Sequence, residues 1–502
     1  MTPRTRHRPR ALAGLLLLAA LAASPVLPAA TADPPAARAG DLRFPPLPAV
    51  DVPRPERVVL DNGLVVLLLE DRELPLVEVT ALVRGGRRLD PAAQVGLSGL
   101  GAAVLRTGGT AAIHGMPGDQ LDDWLESHAA VLEVTAEEAR TRATLSALAE
   151  DFPAALGVFA DVLRRPAFDP VKLEVARNQA VARVARQNDE ADDILLRELR
   201  KLVYGADSPL ARSETFATLG AVRRDDLVAW HRRAFHPERT VLGLVGDFRA
   251  ADAVALVRQA FGDWARGAGG PGGGGAGDAD PEPAWRRQPN PGVFWAEKSD
   301  MTQSAVIMGH LGVRKDDPDF YALEVLNQVL SGSFASRLVA HVRTQKGLAY
   351  AVSGRVGSDW DHPGLTYLYM TTKLATTGAG IQALLDEARG LAAQPPTAEE
   401  VERARQALLN SFVFNVDSRR KVLAQVLDLE LYGYPLDRLS RYRAGVEAVT
   451  VEQVRAAARH LRPADFALLV VGPAAGRDRP LTDFGKVTPV DLTIPGAAPQ
   501  GK

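Results

Sequence analysis

Leu326–Tyr350 reads LNQVLSGSFASRLVAHVRTQKGLAY, and the rest of the chain is best interpreted from this stretch. A short turn at Ser331–Ser333 is predicted to lead into a helix, because apolar residues recur after it at helical spacing. These residues are Leu338, Val339 and Val342. Gly347 is a typical helix stop, and apolar alternation beyond it predicts a strand. The residues expected on one face of that strand are Leu348, Tyr350, Val352 and Val356.

Arg343 and Tyr350 are the side chains of this stretch that could take part in chemistry. Arg343 is expected near the end of the helix and Tyr350 early in the strand, with one glycine turn between them. A guanidinium and a phenol aimed at one spot are both good donors to a carbonyl oxygen, and arginine stays charged at any working pH. The structural alternative is that the arginine caps helix carbonyls and the tyrosine packs on a sheet. Spacing alone favours this alternative.

Length and composition describe a large globular protein. The chain has 502 residues, too many for one ordinary core, so two or more domains are expected. Its 46% hydrophobic and 24% charged residues exclude bulk disorder. A formal net charge of −2 leaves no basic excess for nucleic-acid binding. The absence of cysteine excludes disulfides, thiolate metal sites and a cysteine nucleophile.

Residues 1–32 are predicted to be a secretory signal peptide. Arginines precede an apolar run at Ala11–Ala23, and Ala30-Thr31-Ala32 fits a cleavage site. The run is short for a membrane span, although an uncleaved anchor is the alternative. The Pro- and Ala-rich residues 33–50 are interpreted as a tether. We therefore expect an exported protein, periplasmic or secreted, with no membrane span after signal cleavage.

An internal duplication is predicted from residues that recur at an offset of 228. The pairs are Glu174/Glu402, Arg177/Arg405, Asp189/Asp417, Tyr204/Tyr432 and Gly205/Gly433. Residues 267–283, which include GGPGGGG, are interpreted as a flexible linker between a first half at 51–266 and a second half at 284–480. A tail follows at 481–502. Each half mixes strands with long helices, such as one expected at Val171–Leu202. The predicted fold class is therefore α/β (α+β), with antiparallel-rich sheets plus helices.

Each half contains its own series of short motifs, and their order and spacing are informative. In the first half they are Asp61-Asn62-Gly63-Leu64, Leu74-Pro75-Leu76-Val77, Gly85, Gly96-Leu97, Gly109-Thr110 and Val245-Gly246-Asp247. In the second half they are Asn327, Leu330, Gly332, Phe334, Ser336-Arg337-Leu338, Arg343 and Gly347-Leu348-Ala349-Tyr350. From about Arg54 to Pro473, the chain resembles the pitrilysin-type zinc metallopeptidases, which include insulinase-like and mitochondrial-processing-peptidase-like enzymes. The resemblance implies two homologous halves arranged as a clamshell.

The zinc motif of that family, His-x-x-Glu-His on the helix after the Gly-Leu pair, is absent from the corresponding place. In the family, two imidazoles on one helix face bind zinc and the glutamate activates the metal-bound water. Here Gly99 and Ala103 stand at the histidine positions and Ala102 at the glutamate position. The third ligand should fall near Ala182 or Arg183, and neither can serve. None of the nine histidines rebuilds such a motif elsewhere, so no metal is expected on this chain.

The resemblance gives Arg343 and Tyr350 a role. In the family, the Arg/Tyr pair of one half reaches toward the zinc of another half and holds the scissile peptide, and some members divide zinc and pair between two chains. We therefore expect the zinc-less, substrate-binding subunit of an exported heterodimeric metalloendopeptidase, inactive alone and acting in trans. Two partners are expected, namely a homologous subunit that binds Zn²⁺ and, separately, a peptide substrate. No nucleic-acid partner is expected.

Two alternatives remain open, and one departure from the family concerns substrate. The family's edge strand carries Asn-Ala-x-Thr, but the stretch here is Leu132-Glu133-Val134-Thr135, in which only Thr135 fits. The resemblance therefore does not imply peptide binding by the first half. A non-enzymatic peptide-binding or assembly scaffold with the same fold is the first alternative. An independent hydrolase with an unrecognised site is the second.

Overall fold

The computed structural model describes residues 52–111, 115–267 and 283–496 of the chain. The predicted signal peptide at 1–32, the tether at 33–50 and nearly all of the Gly-rich linker at 267–283 lie outside these residues. Among the helices that the structure describes, none is both long enough and apolar enough to cross a bilayer.

The first half folds around a six-stranded sheet. Its strands are Glu56–Val59 (β1), Val65–Glu70 (β2), Leu76–Arg84 (β3), Val131–Ala136 (β4), Arg140–Leu148 (β5) and Thr240–Gly246 (β6). Their order is β1-β2-β6-β3-β5-β4, so β4 is an edge strand. β1 and β2 form a hairpin, in which Gly63 adopts a φ of +90° that other residues avoid. Asn62 holds this turn by donating from Nδ2 to the Phe261 carbonyl at 2.7 Å.

The second half folds around another six-stranded sheet. The strands of this half are Gly292–Ala296 (β7), Gln303–Leu311 (β8), Val313–Arg314 (β9), Ala351–Arg355 (β10), Ser358–Asp359 (β11), Leu365–Lys373 (β12), Ala467–Val471 (β13) and Val487–Pro489 (β14). The order in the sheet is β10-β12-β8-β13-β7-β14, and β9 pairs separately with β11. β10, which follows Tyr350, is therefore an edge strand like β4.

Five strands of one sheet match five strands of the other in order and direction. β2 is parallel to β6 as β7 is to β13. The next three pairings, β6-β3-β5-β4 and β13-β8-β12-β10, are antiparallel in both sheets. The outermost strands differ, because β1 is antiparallel to β2 whereas β14 is parallel to β7. The shared arrangement agrees with the two homologous halves expected from the sequence.

Helices cover both sheets. In the first half they are Leu97–Thr107 (α1), Gly118–Ser127 (α2), Phe152–Arg164 (α3), Pro170–Ala185 (α4), Ala191–Tyr204 (α5), Phe216–Ala221 (α6), Arg224–Ala234 (α7) and Ala250–Phe261 (α8). In the second half they are Phe320–Ser331 (α9), Thr377–Ala393 (α10), Ala398–Ser411 (α11), Arg419–Tyr432 (α12), Arg438–Glu447 (α13) and Val451–Ala457 (α14). A wide π-helix, Leu338–Gln345, lies between α9 and β10.

The single long helical stretch expected at Val171–Leu202 was wrong, since it consists of two helices, α4 and α5. Asp169 begins α4, because its side chain accepts two backbone N–H groups of the first turn at 2.7 and 3.1 Å. After α4, the N–H of Arg186 donates to the carbonyl of Arg183 at 3.1 Å and closes a turn. The short polar side chains of Asn188 and Asp189 favour such turns over a continuous helix.

One helix of each half packs against the sheet of the other half. α5 packs on β8 and β13 through residues such as Leu195 and Leu199, which are at most 1% exposed. α12 packs on β2 and β6 through residues such as Leu423 and Leu427. Burying one such side chain contributes about 1.5–3 kcal/mol. The exchange ties the described parts of the two halves into one compact unit.

Candidate functional site

Helix α1 carries three of the four positions that are predicted from the sequence to be a degenerate zinc motif. Asp90 fixes its start, because the carboxylate accepts the backbone N–H groups of Gly96 and Ser98, both at 3.0 Å. Burial raises the pKa of Asp90 to about 6. Gly101 allows close packing, since a Cβ there would lie 2.6 Å from the Trp230 ring. The position of α1 is thus set by a capping carboxylate and tight contact with α7.

A cavity of about 990 Å³ lies beside α1. Gly99, Ala102 and Ala103 line it from α1, and Arg183 lines it from α4. The structure therefore brings the four degenerate zinc-motif positions together around one space. Residues 134–136 of the edge strand β4 line the same cavity. What these positions bind or do stays a prediction, because geometry alone does not assign it.

The residues around this cavity do not fit zinc. No histidine of the described residues lines it, and Gly99 offers no ligand atom. Glu214 comes near the motif, with Oε1 3.4 Å from the place of a Cβ at Gly99, but a lone carboxylate does not make a three-ligand site. Glu138 is already ion-paired with Arg200. Arg183, at the expected third ligand position, carries the charge that repels a cation.

Arginine dominates the cavity lining. The arginines are Arg87, Arg88, Arg183, Arg186, Arg197, Arg200 and Arg212. The carboxylates of the lining are Glu138, Asp193 and Glu214. Seven guanidiniums against three carboxylates leave a formal excess of four positive charges, in a chain whose overall formal charge is −2. A concave surface concentrates the field of such charges.

Arg343 and Tyr350 lie on the surface of the second half. Tyr350 is 77% exposed, and Arg343 is exposed as well. In the part of the chain that the structure describes, neither side chain makes a hydrogen bond or an ion pair. The Arg343 guanidinium lies 5.6 Å from the ring centre of Phe334, which is 79% exposed. We call Phe334, Arg343 and Tyr350 the Arg/Tyr surface.

The local structure around Tyr350 differs slightly from the expected one. Gly347 ends the helical segment with a φ of +64°, as predicted, but β10 begins at Ala351, one residue after Tyr350. The N–H of Tyr350 donates to the Thr371 carbonyl at 2.9 Å, so the pairing with β12 already starts there. The predicted apolar face is buried at Val356 and open at Tyr350, because Tyr350 lies at the start of an edge strand.

Buried polar contacts hold the segment that presents the Arg/Tyr surface. Arg337, at the start of the π-helix, donates from Nε and Nη2 to the two carboxylate oxygens of Glu400, both at 2.7 Å. Its Nη1 donates to the Gln394 carbonyl at 2.7 Å. The Arg337 guanidinium lowers the pKa of Glu400 to about 2. Ser331 Oγ donates to the Gly354 carbonyl at 2.7 Å, which ties the end of α9 to β10.

The cavity and the Arg/Tyr surface are separate in this chain. Every described residue that lines the cavity lies between Arg87 and Glu214, in the first half. Arg343 and Tyr350 lie in the second half and do not line it. The chain therefore does not combine its Arg/Tyr pair with its own degenerate motif in one pocket.

One other group of side chains has the spacing of metal ligands. Asp317, Asp319 and His460 place ligand atoms within 4.8 Å of one another. Asp319 is already ion-paired with Arg459, and its carboxylate lies 2.8 Å from Nε2 of His460. This arrangement is explained as an ion-pair cluster.

Two family models match the chain. The model described as "Insulinase (Peptidase family M16)" matches residues 65–213, and the model described as "Peptidase M16 inactive domain" matches residues 221–408. The chain belongs to the M16 peptidase family. The degenerate zinc positions fall within the first match and the Arg/Tyr pair within the second, so the M16 resemblance seen in the sequence is confirmed.

Relatives of this M16 chain include proteins with different descriptions. It is 26% identical over 328 residues to the uncharacterized zinc protease YmxG of Bacillus subtilis, covering 64% of this chain and 75% of that protein. It is 27% identical over 350 residues to the non-peptidase homolog YmxG of Helicobacter pylori, covering 69% of this chain and 77% of that protein.

Solved structures confirm the predicted fold class. The peptidase M16 inactive domain from Pseudomonas fluorescens superimposes with a TM-score of 0.73 at 25% identity, covering 86% of this chain and 100% of that one. The periplasmic protease PqqL from Escherichia coli gives a TM-score of 0.70 at 15% identity, covering 84% of this chain and 46% of that one. At the lower identity, the likeness shows the fold alone.

The arginine lining of the cavity was missed by sequence reasoning. Only Arg183 was singled out, as an obstacle to a metal. A signal was present, because Arg183 and Arg186, and likewise Arg197 and Arg200, are three residues apart. That spacing places each pair on one helix face or its continuation. Arg87 and Arg212 gave no such signal, because only the fold brings them to the cavity.

Proposed function

We propose that this M16 chain is the zinc-less, substrate-binding subunit of an exported heterodimeric metalloendopeptidase. Arg343 and Tyr350 act in trans at the zinc site of a homologous partner chain. The chain is inactive alone, and the Zn²⁺ belongs to the partner. The proposal keeps the exported location predicted from residues 1–32.

The observation that carries this proposal is that the side chains of Arg343 and Tyr350 are exposed and make no hydrogen bond or ion pair among the described residues. Tyr350 and Phe334 expose more than three quarters of their side chains, and Arg343 has no carboxylate partner among the described residues. Tyrosine and arginine are the residue types that dominate binding energy at interfaces. The surface therefore has the composition of a contact site, and none of the described residues of its own chain forms a hydrogen bond or ion pair with the Arg343 or Tyr350 side chain.

The chemistry of the pair suits a peptide carbonyl. Arg343 can donate to a backbone carbonyl of the bound peptide, and its planar guanidinium keeps its charge. The Tyr350 hydroxyl can donate to the scissile carbonyl oxygen as that oxygen gains negative charge. Arg337 and Glu400 hold the segment that carries Arg343, and a fixed donor needs less reorganisation than a mobile one.

The Tyr350→Phe variant tests this role in a one-to-one complex with a zinc-motif partner. Removing one oxyanion donor is expected to lower kcat about 10²- to 10³-fold, with complex formation unchanged. Arg343→Ala is expected to lower kcat/KM as well. Lys373→Ala is the control, since it removes an exposed cation from the same half. Full activity of the Tyr350→Phe complex contradicts the proposal.

A non-enzymatic scaffold is the second candidate function. One relative, the Helicobacter pylori protein, is described as a non-peptidase homolog, and the zinc positions of the present chain are Gly99, Ala102 and Ala103. A scaffold would bind partner or peptide without changing turnover. Unchanged kcat in both the Tyr350→Phe and the Arg343→Ala complexes would favour it.

A further inference from the structure

We propose that the cavity beside α1 is an anion site that binds an acidic peptide segment through Arg87, Arg183, Arg186 and Arg212. The place where zinc ligands stand in relatives would then hold a ligand of opposite charge. The site needs no partner chain and uses neither Arg343 nor Tyr350. Its failure would leave the proposed function untouched.

Three arginines of the cavity lining already form hydrogen bonds and ion pairs with other residues of the chain. Arg197 donates to Glu198, to the Gln187 carbonyl and to Asn188 at 2.6–2.8 Å. Arg200 pairs with Glu138 and donates to the Leu210 carbonyl, and Arg88 donates to Asp361 at 2.5 Å. These groups set the shape of the cavity wall and add to its positive field, but several of their donors are already used by the protein's own acceptors.

Four arginines remain available to a ligand. Arg87, Arg183 and Arg186 are exposed and line the cavity, and their guanidiniums make no hydrogen bond or ion pair within the described residues. Arg212 donates only to the carbonyls of Asp207 and Asp90, at 3.2 and 3.3 Å. Guanidiniums bind carboxylates in bidentate geometry, and such charge-assisted hydrogen bonds are about twice as strong as neutral ones.

The form of the cavity favours a peptide over a small ion. Its volume of about 990 Å³ is at the upper end of ligand pockets and far exceeds what an inorganic anion fills. Val134, Thr135 and Ala136 belong to the edge strand β4 and line the cavity. An extended chain laid along such an edge projects alternate side chains to one side. Acidic residues at alternate positions would therefore face the arginines.

The carboxylate of Glu214 allows a test of whether the ligand of the cavity is negatively charged. Glu214 lies next to Gly99, where its charge opposes an incoming carboxylate. Neutralising it should tighten the binding of an acidic peptide, whereas neutralising an available arginine should weaken it. A misfolded variant cannot produce the tighter binding, so Glu214→Gln keeps the test informative.

Fluorescence anisotropy of the full chain with labelled decapeptides tests the site. An alternating Glu-Ser peptide is expected to bind at least about tenfold more tightly than a Gln-Ser peptide. The double variant Arg183→Gln/Arg186→Gln should weaken Glu-Ser binding about tenfold or more, and Glu214→Gln should strengthen it several-fold. Arg249→Gln is the matched control, because Arg249 is an exposed arginine of the first half that does not line the cavity.

Three results would overturn the proposal. Equal binding of the two peptides would remove the need for carboxylates. A loss in Arg249→Gln equal to that in the double variant would mean general surface attraction. Full displacement of the peptide by millimolar inorganic phosphate, with phosphate itself bound in the cavity, would identify a small-anion site instead.

Discussion

The two halves of this M16 chain share one scaffold and carry different kinds of candidate site. Their sheets match in five strands, and each ends in an edge strand, β4 or β10, beside the candidate residues. In the first half, the site is a cavity rich in arginine. In the second half, it is an open surface with Phe334, Arg343 and Tyr350. The two halves thus share the packing of the scaffold and differ in the outward side chains of their candidate sites.

In helix α1, the residues that pack in the core are separate from the residues that line the cavity. Its core-facing residues Leu97, Leu100 and Val104 are at most 3% exposed and preserve the contact with the sheet. The cavity-facing positions Gly99 and Ala103, where the sequence predicts a degenerate zinc motif, offer no side-chain ligand atoms. The residues of α1 that hold the fold and those that line the cavity are therefore different.

The largest expected effect concerns the support of the Arg/Tyr surface. Arg337→Ala removes the partner of Glu400 in a largely buried, bidentate pair, and leaving such a charge unpaired costs about 3–5 kcal/mol. Urea unfolding of the full chain measures it. Arg403→Ala, which breaks a largely exposed pair with Glu399 at 3.6 Å, should cost about 0–1 kcal/mol. Equal losses would mean that the Arg/Tyr surface has no such rigid support.

The exchange of helices between the halves predicts a second, slightly smaller effect. Leu199→Ala on α5 and Leu427→Ala on α12 should each lower the free energy of unfolding by about 2–5 kcal/mol. Both should shift the same single transition, because each side chain packs on the other half's sheet. Leu196→Ala is the control, since Leu196 is 47% exposed on α5. Separate transitions for the two halves would contradict the exchange.

The smallest expected effect is a difference in pH dependence between the halves. The raised pKa of Asp90, about 6, means that its contribution to stability falls as pH rises from about 4 to about 6, by at most roughly 3 kcal/mol. The lowered pKa of Glu400, about 2, means that its contribution is complete above about 4.5 and is lost as pH falls toward 2.

Unfolding of Asp90→Asn and Glu400→Gln across pH 2–7 separates the two. The stability of Asp90→Asn relative to the unsubstituted chain should rise with pH between about 4 and 6. The deficit of Glu400→Gln should shrink as pH falls from about 4.5 to 2. The readout is the change with pH in the free-energy difference between each variant and the unsubstituted chain. The size of that difference at a single pH is not informative, because each variant also loses hydrogen bonds. Parallel slopes in the two variants would refute the contrast.

The sequence was informative wherever a signal was local. The order of short motifs gave the family, whereas the assignment of Gly99, Ala102, Ala103 and Arg183 as degenerate zinc positions stays a prediction. The end of the helical segment at Gly347 also followed from one residue type. The predicted roles of Arg343 and Tyr350 remain predictions, since geometry shows their exposure and not their use.

Non-local features could not be predicted. The apolar spacing in α5 indicates a buried face, but it does not indicate which sheet that face packs against. The packing of α5 on the other half's sheet could therefore not be predicted. Arg87 and Arg212 are far apart in the chain and become neighbours of one cavity only through the fold. The break between α4 and α5 was missed because the charged residues around it are also compatible with a continuous solvent-facing helix.

The most direct test of the central claim is a three-way cleavage assay. A quenched fluorescent peptide library is given to this chain alone, to a zinc-motif partner alone and to a one-to-one mixture of the two. The account predicts that only the mixture cleaves and that a chelator stops it. A mixture no more active than the partner alone, or chelator-resistant cleavage by this chain alone, would contradict the account.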